Sequence, residues 1–147
     1  MTVTLERITE VLSTVTPDII SKTPRRVYVS IPRSDLTRTI SIIASELGVQ
    51  HLSTITALDT GNAFEVMYHF LVDGIVVTVR TTTPRDDPTL DSIVSIFPGA
   101  VLYEREFHDL LGIVPNGHPD LRRLVLPEDW VGGYPLRKDW KPAEGED

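Results

Sequence analysis

The sequence predicts an α+β domain with helices on one face of a mainly antiparallel sheet, followed by a short helical region and an extended irregular C-terminal tail. Apolar residues recur at helical spacing before residue 50. The dipeptide Asp73-Gly74 separates two strand-like runs. After Ile113, prolines and glycines interrupt the chain repeatedly. Because helices and strands do not alternate strictly, an α+β arrangement is favoured over a parallel α/β one.

The first predicted elements are a helix and a strand. Apolar residues at helical spacing run from Leu5 to Val15, Thr4 can cap the free N–H groups, and Pro17 stops the helix. In Arg26–Ile31, apolar residues alternate with others, which is typical of a half-buried strand.

A second, stronger helix is predicted next, with Ser34 or Asp35 as its cap and Gly48 as its left-handed end. Its apolar stripe consists of Leu36, Ile40, Ile43 and Leu47. His51–Leu58 is rich in Thr and Ile and is predicted to be a strand.

The clearest local pattern is a hairpin formed by the runs Phe64–Val72 and Ile75–Thr82. They flank Asp73-Gly74, and this pair tolerates the positive φ angles of a type I′ turn. The flanking runs are therefore predicted to pair antiparallel.

The chain changes character after residue 83. We predict a short helix capped by Asp87 and started by Pro88, then a helix over Ala100–Leu111 that ends at Gly112. The apolar side of the short helix would be Leu90, Ile93, Val94 and Phe97. The predicted organisation is an α+β sandwich over 1–83, a helical connection over 84–112 and a partner-binding tail over 113–147, within one domain overall.

Composition excludes several classes of function. Among 147 residues, 14 basic and 21 acidic side chains give a net charge of −7, which argues against a nucleic-acid binder. The chain has no cysteine, so iron–sulfur ligation by thiolates, disulfides and cysteine nucleophiles are excluded. The longest uncharged stretches have 12 residues each, short of the roughly 20 that a membrane span needs. Glu6 and Arg7 lie where a signal peptide would be apolar, so we expect none.

The densest group of chemically active residues lies between Tyr103 and Pro127. On a helix, Arg105 and Asp109 share one face, and Glu106 lies three residues before Asp109. Planar guanidinium groups bind carboxylates through two parallel hydrogen bonds. Together with His118, Arg122 and Arg123, these residues can form a network that fixes an irregular segment.

Two chemical interpretations of this group compete with the structural one. General acid–base catalysis would use Glu104, Glu106 and Asp109 or His118, but the sequence offers no accompanying nucleophile or phosphate loop. A metal site would use Glu104, His108 and His118, but a third ligand at the usual spacing is lacking. The structural interpretation, a charged helix face that clamps the tail, is favoured.

Two motifs resemble the signature of a family of NADH-quinone oxidoreductase (complex I) subunits, called the C-subunit or thirty-kilodalton subunit family. The first combines Glu104–Glu106, Asp109–Leu111, His118, Arg122 and Leu124-Val125. The second is Pro135–Asp139, and the preceding Phe97–Ala100 and Gly112-Ile113 also fit. The signature and partner-binding residues are Glu104, Arg105, Glu106, Asp109, His118, Arg122, Arg123, Pro135, Leu136, Arg137, Lys138 and Asp139.

The resemblance implies a structural subunit of the peripheral arm, without catalytic, cofactor-binding or metal-binding residues of its own. Its tail would wrap the large quinone-site subunit, with cluster-bearing subunits nearby. The complex would lie at the cytoplasmic side of the cell membrane and carry electrons from NADH to quinone. The chain is short for a bacterial member, so a membrane-bound hydrogenase or another complex I-like assembly is the alternative. A free interaction module and a stand-alone acid–base enzyme are the remaining ones.

Overall fold

A computed structural model describes residues 2–142 of the chain. Its helices are α1 (Leu5–Ser13), α2 (Leu36–Glu46) and α3 (Ala100–Leu111), and a 3₁₀ turn over Arg33–Asp35 precedes α2. The strands are β1 (Ile19–Thr23), β2 (Arg26–Ser30), β3 (Thr54–Asp59), β4 (Ala63–Val72), β5 (Ile75–Pro84), β6 (Thr89–Asp91) and β7 (Val114–Asn116).

The main sheet has five strands in the order β1-β2-β5-β4-β3. Three neighbouring pairs are antiparallel, and only β2 and β5 run parallel. The short strands β6 and β7 form a separate parallel pair. The predicted α+β fold with a mainly antiparallel sheet is therefore confirmed.

One face of the sheet forms the core with the helices. Side chains that alternate along β2, β4 and β5 are buried on this face, while their neighbours on the other face are mostly half-exposed. α1 and α2 contact each other, and α3 packs against the edge strand β3. The buried apolar residues of these three strands are Val27, Val29, Phe64, Val66, Tyr68, Phe70, Val72, Ile75, Val77 and Val79.

The predicted hairpin is confirmed in its register. Val72 pairs with Ile75, and the two residues between them have φ angles of 47° at Asp73 and 81° at Gly74. Both values lie in the left-handed region that a type I′ turn requires. The Asp73 carboxylate also accepts a hydrogen bond from the N–H of Val3, which fixes the chain just before α1.

The prediction of a short helix after Asp87 is wrong. Thr89–Asp91 is strand β6, which pairs with β7 from beyond α3, and the chain then turns up to residue 99. Asp87 does not cap a helix, because its carboxylate binds the guanidinium of Arg33. The apolar spacing reflects burial instead, since Leu90, Ile93 and Phe97 all enter the core.

Other differences are small. The sequence does not predict strand β1, because four of its five residues are exposed and only its pairing with β2 defines it. The strand expected from His51 begins at Thr54. Thr4 caps α1 as predicted, but Asp35 precedes α2 without a side-chain capping bond. No helix in the described part of the chain combines the length and apolarity that crossing a membrane requires.

Candidate functional site: an anchored tail

Residues 117–142, here called the tail, follow β7 without a helix or strand and lie against α3 and the sheet. Bends and turns replace regular structure, as the prolines and glycines predict. Such a segment lacks the hydrogen bonds of a helix or a sheet, so its backbone groups need other partners. Six of these backbone groups bind three side chains of the domain, which are Arg105 and Asp109 on α3 and Asp59 at the end of β3.

The first anchor is the Asp109 carboxylate on α3. One of its oxygens, Oδ2, accepts the successive N–H groups of Leu124, Val125 and Leu126 at 3.2, 2.9 and 2.9 Å. Its other oxygen lies 3.5 Å from the guanidinium of Arg123. Burial alone would raise the pKa of Asp109, but these donors outweigh it and the pKa is lowered. The tail therefore winds around an ionised carboxylate.

Arg105 completes this anchor one turn earlier on α3. Its guanidinium donates to the carbonyl oxygens of Arg122 and Arg123, both at 2.9 Å. The predicted guanidinium–carboxylate network is thus corrected in part. Arg105 binds the tail backbone and not Asp109, and Arg122 pairs with Asp120 two residues away.

The second anchor is Asp59, at the end of β3. Its carboxylate pairs with Arg85 and accepts the N–H groups of Gly61 and Lys138 at 2.8 and 2.9 Å. The hydrogen bond from Arg85 is the main cause that lowers the pKa of Asp59. Arg85 also pairs with Asp139 at 3.1 Å, so Asp59 and Arg85 both hold the tail to the sheet.

Arg137 caps the end of α3. Its Nε donates to the carbonyl of Leu111 at 2.7 Å, and the N–H of Leu136 donates to the carbonyl of Leu110 at 3.2 Å. A cation at this position opposes the negative end of the helix dipole. The guanidinium carbon also lies 5.0 Å from the ring centre of Phe64 and 4.5 Å from that of Tyr134, within cation–π range.

Gly112 makes this close approach possible. It ends α3 with a φ of 77°, as predicted for a left-handed cap. A Cβ atom at this position would lie 2.6 Å from Arg137 Nη2 and 2.7 Å from the Tyr134 ring. The glycine therefore serves both the turn and the packing of the tail.

Glu104 faces the core and does not belong to the tail. It is completely buried and accepts hydrogen bonds from the Ser92 hydroxyl and the Ile93 N–H. Burial raises its pKa, and these two donors act in the opposite direction. Glu104 thus fixes the turn between β6 and α3, a role that the sequence analysis does not assign.

The two chemical interpretations gain no support from this arrangement. Glu104 is sealed from solvent, whereas Glu106 lines a separate shallow cavity of about 30 Å³ beside Tyr103 and Leu136. His118 binds the Val101 carbonyl through Nε2 and accepts the Asp120 N–H at Nδ1. Among residues 2–142, no three His, Cys, Asp or Glu side chains come together as metal ligands.

His108, the other candidate ligand, hydrogen-bonds the Ile113 carbonyl at 3.0 Å. Both histidines therefore help to fix the backbone at the two ends of β7.

The outer surface of the tail is rich in exposed apolar side chains. Val131 is 97% exposed, and Val125 and Leu136 are each 56% exposed. The two tryptophans instead close the tail on itself, since Trp130 donates to the Gly133 carbonyl and Trp140 to that of Gly132. The remaining exposed apolar side chains of the tail are Leu124 and Tyr134.

Sequence reasoning missed Asp59 and Arg85, because they lie far from the motifs along the chain. Asp59-Thr60-Gly61 indicates only a turn. Among the predicted site residues, Arg105, Asp109, Arg123, Arg137, Lys138 and Asp139 all take part in tail anchoring. Whether any of them also contacts a partner stays a prediction.

A domain that holds an irregular, partly apolar segment on its surface is typical of a subunit that binds other proteins. Comparison with known sequences identifies the family. The chain belongs to the family described as "Respiratory-chain NADH dehydrogenase, 30 Kd subunit", whose profile matches residues 29–146. The resemblance inferred from the two motifs is thereby confirmed.

Two relatives illustrate the range of the family. The chain is 32% identical over 133 residues to the C subunit of the F(420)H(2) dehydrogenase of Methanosarcina mazei, covering 85% of this chain and 84% of that protein. It is 40% identical over 117 residues to the C/D subunit of the NADH-quinone oxidoreductase of Phocaeicola vulgatus, covering 76% of this chain but only 22% of that longer protein.

Solved structures have the same fold. A trypsin-resistant fragment (1–134) of Nqo5 superposes with a TM-score of 0.70 at 29% identity, covering 80% of this chain and 98% of the fragment. A chain of the membrane-bound sulfane sulfur reductase (MBS), an archaeal respiratory membrane complex, gives a TM-score of 0.73 at 23% identity. That match covers 92% of this chain and 84% of the other. At that identity the second likeness supports the fold alone.

Proposed function

We propose that this chain is a non-catalytic structural subunit of the peripheral arm of a respiratory NADH:quinone oxidoreductase or a close relative. Its role is to position the large quinone-site subunit, while electrons pass through other chains. The family membership supports the assembly, and the C/D name of one relative supports contact with the large subunit, because it joins the two subunits in one name. The complex lies on the cytoplasmic side of the membrane.

The observation that carries this proposal is the way in which the tail is displayed. Two carboxylates, Asp59 and Asp109, fix its backbone, while Val125, Val131 and Leu136 are each more than half exposed. Exposing several apolar side chains on an anchored segment is costly in water, and the cost is removed when a partner covers them. The anchors therefore present an interface that is already ordered.

The electron donor distinguishes two versions of this proposal. The motifs and the family description favour NADH as the donor. The alignment with the C subunit of an F(420)H(2) dehydrogenase spans most of both chains, which favours F(420)H(2) as a second candidate. Purifying the native complex and assaying both donors decides between them. We further propose that this chain holds no cofactor, and metal and flavin analysis of the purified, tag-free protein tests this.

The test of the main proposal is co-purification with the large subunit. Deleting everything after Pro127 should leave the α+β domain folded by circular dichroism and abolish capture of the large subunit. A full-length V131S/L136S variant should also bind more weakly, whereas L71S should not, because Leu71 is 60% exposed on β4 outside the tail.

The outcomes are distinct. Unfolding of the truncated chain would show that the tail is part of the core, and the full-length variants then decide the matter. Capture of the partner by a folded truncated chain, or by V131S/L136S at full strength, would overturn the proposal.

A further inference from the structure

A cavity lined mainly by arginines lies between α3 and the tail. It is an open cavity of about 360 Å³, lined by Arg105, Arg122, Arg123 and Glu128. Three of the 14 basic residues of the chain therefore meet at one place, although the net charge of the protein is −7. We call this cavity the arginine pocket.

Among residues 2–142, Arg122 and Arg123 each pair with a carboxylate and Arg105 pairs with none, while Glu128 adds a negative charge to the pocket wall. The hydrogen bonds of the Arg105 guanidinium within residues 2–142 go to two carbonyl oxygens, which carry no formal charge. Arg123 faces Asp109 at 3.5 Å, but that carboxylate is already shared among three backbone N–H groups. Arg122 pairs with Asp120, yet its side chain is 80% exposed.

The surroundings of the pocket favour a protein ligand over a small free anion. Leu124 and Val125, next along the tail, are 41% and 56% exposed, so an apolar patch adjoins the cationic cavity. Apolar contacts beside arginines are typical of protein–protein interfaces, where arginine is enriched. Guanidinium groups also match the planar geometry of a carboxylate.

We propose that the arginine pocket receives an aspartate or glutamate side chain of the large partner subunit. This inference rests on the proposed function and specifies the chemistry of the contact. The chain as a whole is acidic, so three clustered arginines form a local site at which an acidic side chain of the partner can bind. The pocket thus fixes how the partner is oriented on the tail.

Charge reversal at position 122 tests the proposal in the full-length chain. We expect R122E to weaken binding to the large subunit by about tenfold and R122A by less, because an exposed guanidinium contributes modestly. R25E is the matched control: Arg25 is exposed in the turn between β1 and β2, away from α3 and the tail. Trp130 and Trp140 fluorescence checks that the tail of each variant stays in place.

Salt dependence gives a second readout. Raising the ionic strength from about 0.01 to about 0.15 M shortens the Debye length from about 30 to about 8 Å. Wild-type binding should weaken over this range, and R122E binding should weaken less. Carbodiimide cross-linking of R122K, compared with R25K, should join position 122 to an aspartate or glutamate of the large subunit.

Each result has one meaning. If the wild-type chain does not bind the large subunit, the proposed function itself fails. If it binds and R122E binds equally well with an unchanged salt dependence, the arginine pocket is not part of the contact. Displacement of the partner by millimolar inorganic phosphate, without a cross-link from R122K, would assign the pocket to a free anion and overturn the inference.

Discussion

At the scale of single residues, Asp109 shows how one side chain can hold an irregular segment. Its carboxylate binds three successive backbone N–H groups, an arrangement that loops commonly use to bind anions. Here the anion belongs to a helix, and the loop is the tail. Because the Asp109 side chain is 3% exposed, its carboxylate accepts these bonds largely shielded from water, where losing an acceptor is most costly.

Replacing Asp109 by alanine should therefore destabilise the docking of the tail by about 3–5 kcal/mol, the range for breaking a buried charged contact. The three N–H groups would lose their acceptor, and Arg123 would keep only the Trp130 carbonyl. Urea unfolding followed by tryptophan fluorescence measures the loss. D120A is the matched control, since Asp120 forms a surface pair with Arg122 and should cost at most about 1 kcal/mol. Equal stability of D109A and D120A would refute the anchor.

At the scale of elements, α3 connects the core to the tail. Glu104 and Phe107 face inward, Arg105 and Asp109 bind the tail, and Gly112 lets the tail cross the end of the helix. The helix therefore positions the displayed segment as well as covering β3.

Replacing Gly112 by alanine should loosen the end of the tail. The new methyl group would collide with Arg137 and Tyr134, in addition to the strain of a positive φ. G74A is the matched control, because Gly74 has a φ of 81° but open space around it, so it tests strain alone. We expect G112A to lower the melting temperature more than G74A and to shift the tryptophan emission. Similar effects of both variants would mean that packing at Gly112 is unimportant.

The same elements show what the sequence can predict. Helices α1, α2 and α3 and the Asp73-Gly74 hairpin have local causes, namely apolar spacing, caps and turn residues, and these are predicted. Strand β6 depends on β7, more than twenty residues away, so the apolar spacing around Ile93 wrongly indicates a helix. The motif identifies Asp109, but its backbone partners and the anchor at Asp59 depend on tertiary contacts that the local sequence does not contain.

At the scale of the whole molecule, the two carboxylate anchors make the attachment of the tail dependent on pH. The pKa of Asp59 and that of Asp109 are lowered in the folded protein. Each ionised group stabilises the folded chain above its unfolded pKa of about 3.9, and this contribution is lost as pH falls through the folded-state pKa. Glu104 has a raised pKa, so its contribution has the opposite sign and favours the folded core below its unfolded pKa.

Acid should therefore release the tail before the domain unfolds. Both tryptophans of the chain, Trp130 and Trp140, lie in the tail, whereas the helices and the main sheet dominate circular dichroism. We expect the tryptophan emission to shift to longer wavelength as pH falls from about 4 toward the lowered pKa values of Asp59 and Asp109, while the dichroism signal persists. A D59N/D109N variant should show the shifted emission at neutral pH. Simultaneous loss of both signals would contradict separate anchoring.

Asp59, Asp109 and Arg105 bind the tail mainly through its main chain. Asp109 and Asp59 bind N–H groups of residues 124–126 and 138, and Arg105 binds carbonyls of residues 122 and 123. Every amino acid has that carbonyl, and every one except proline has that N–H. The outward side chains can therefore diverge through evolution without loosening the attachment. One scaffold can thus be refitted to different neighbours.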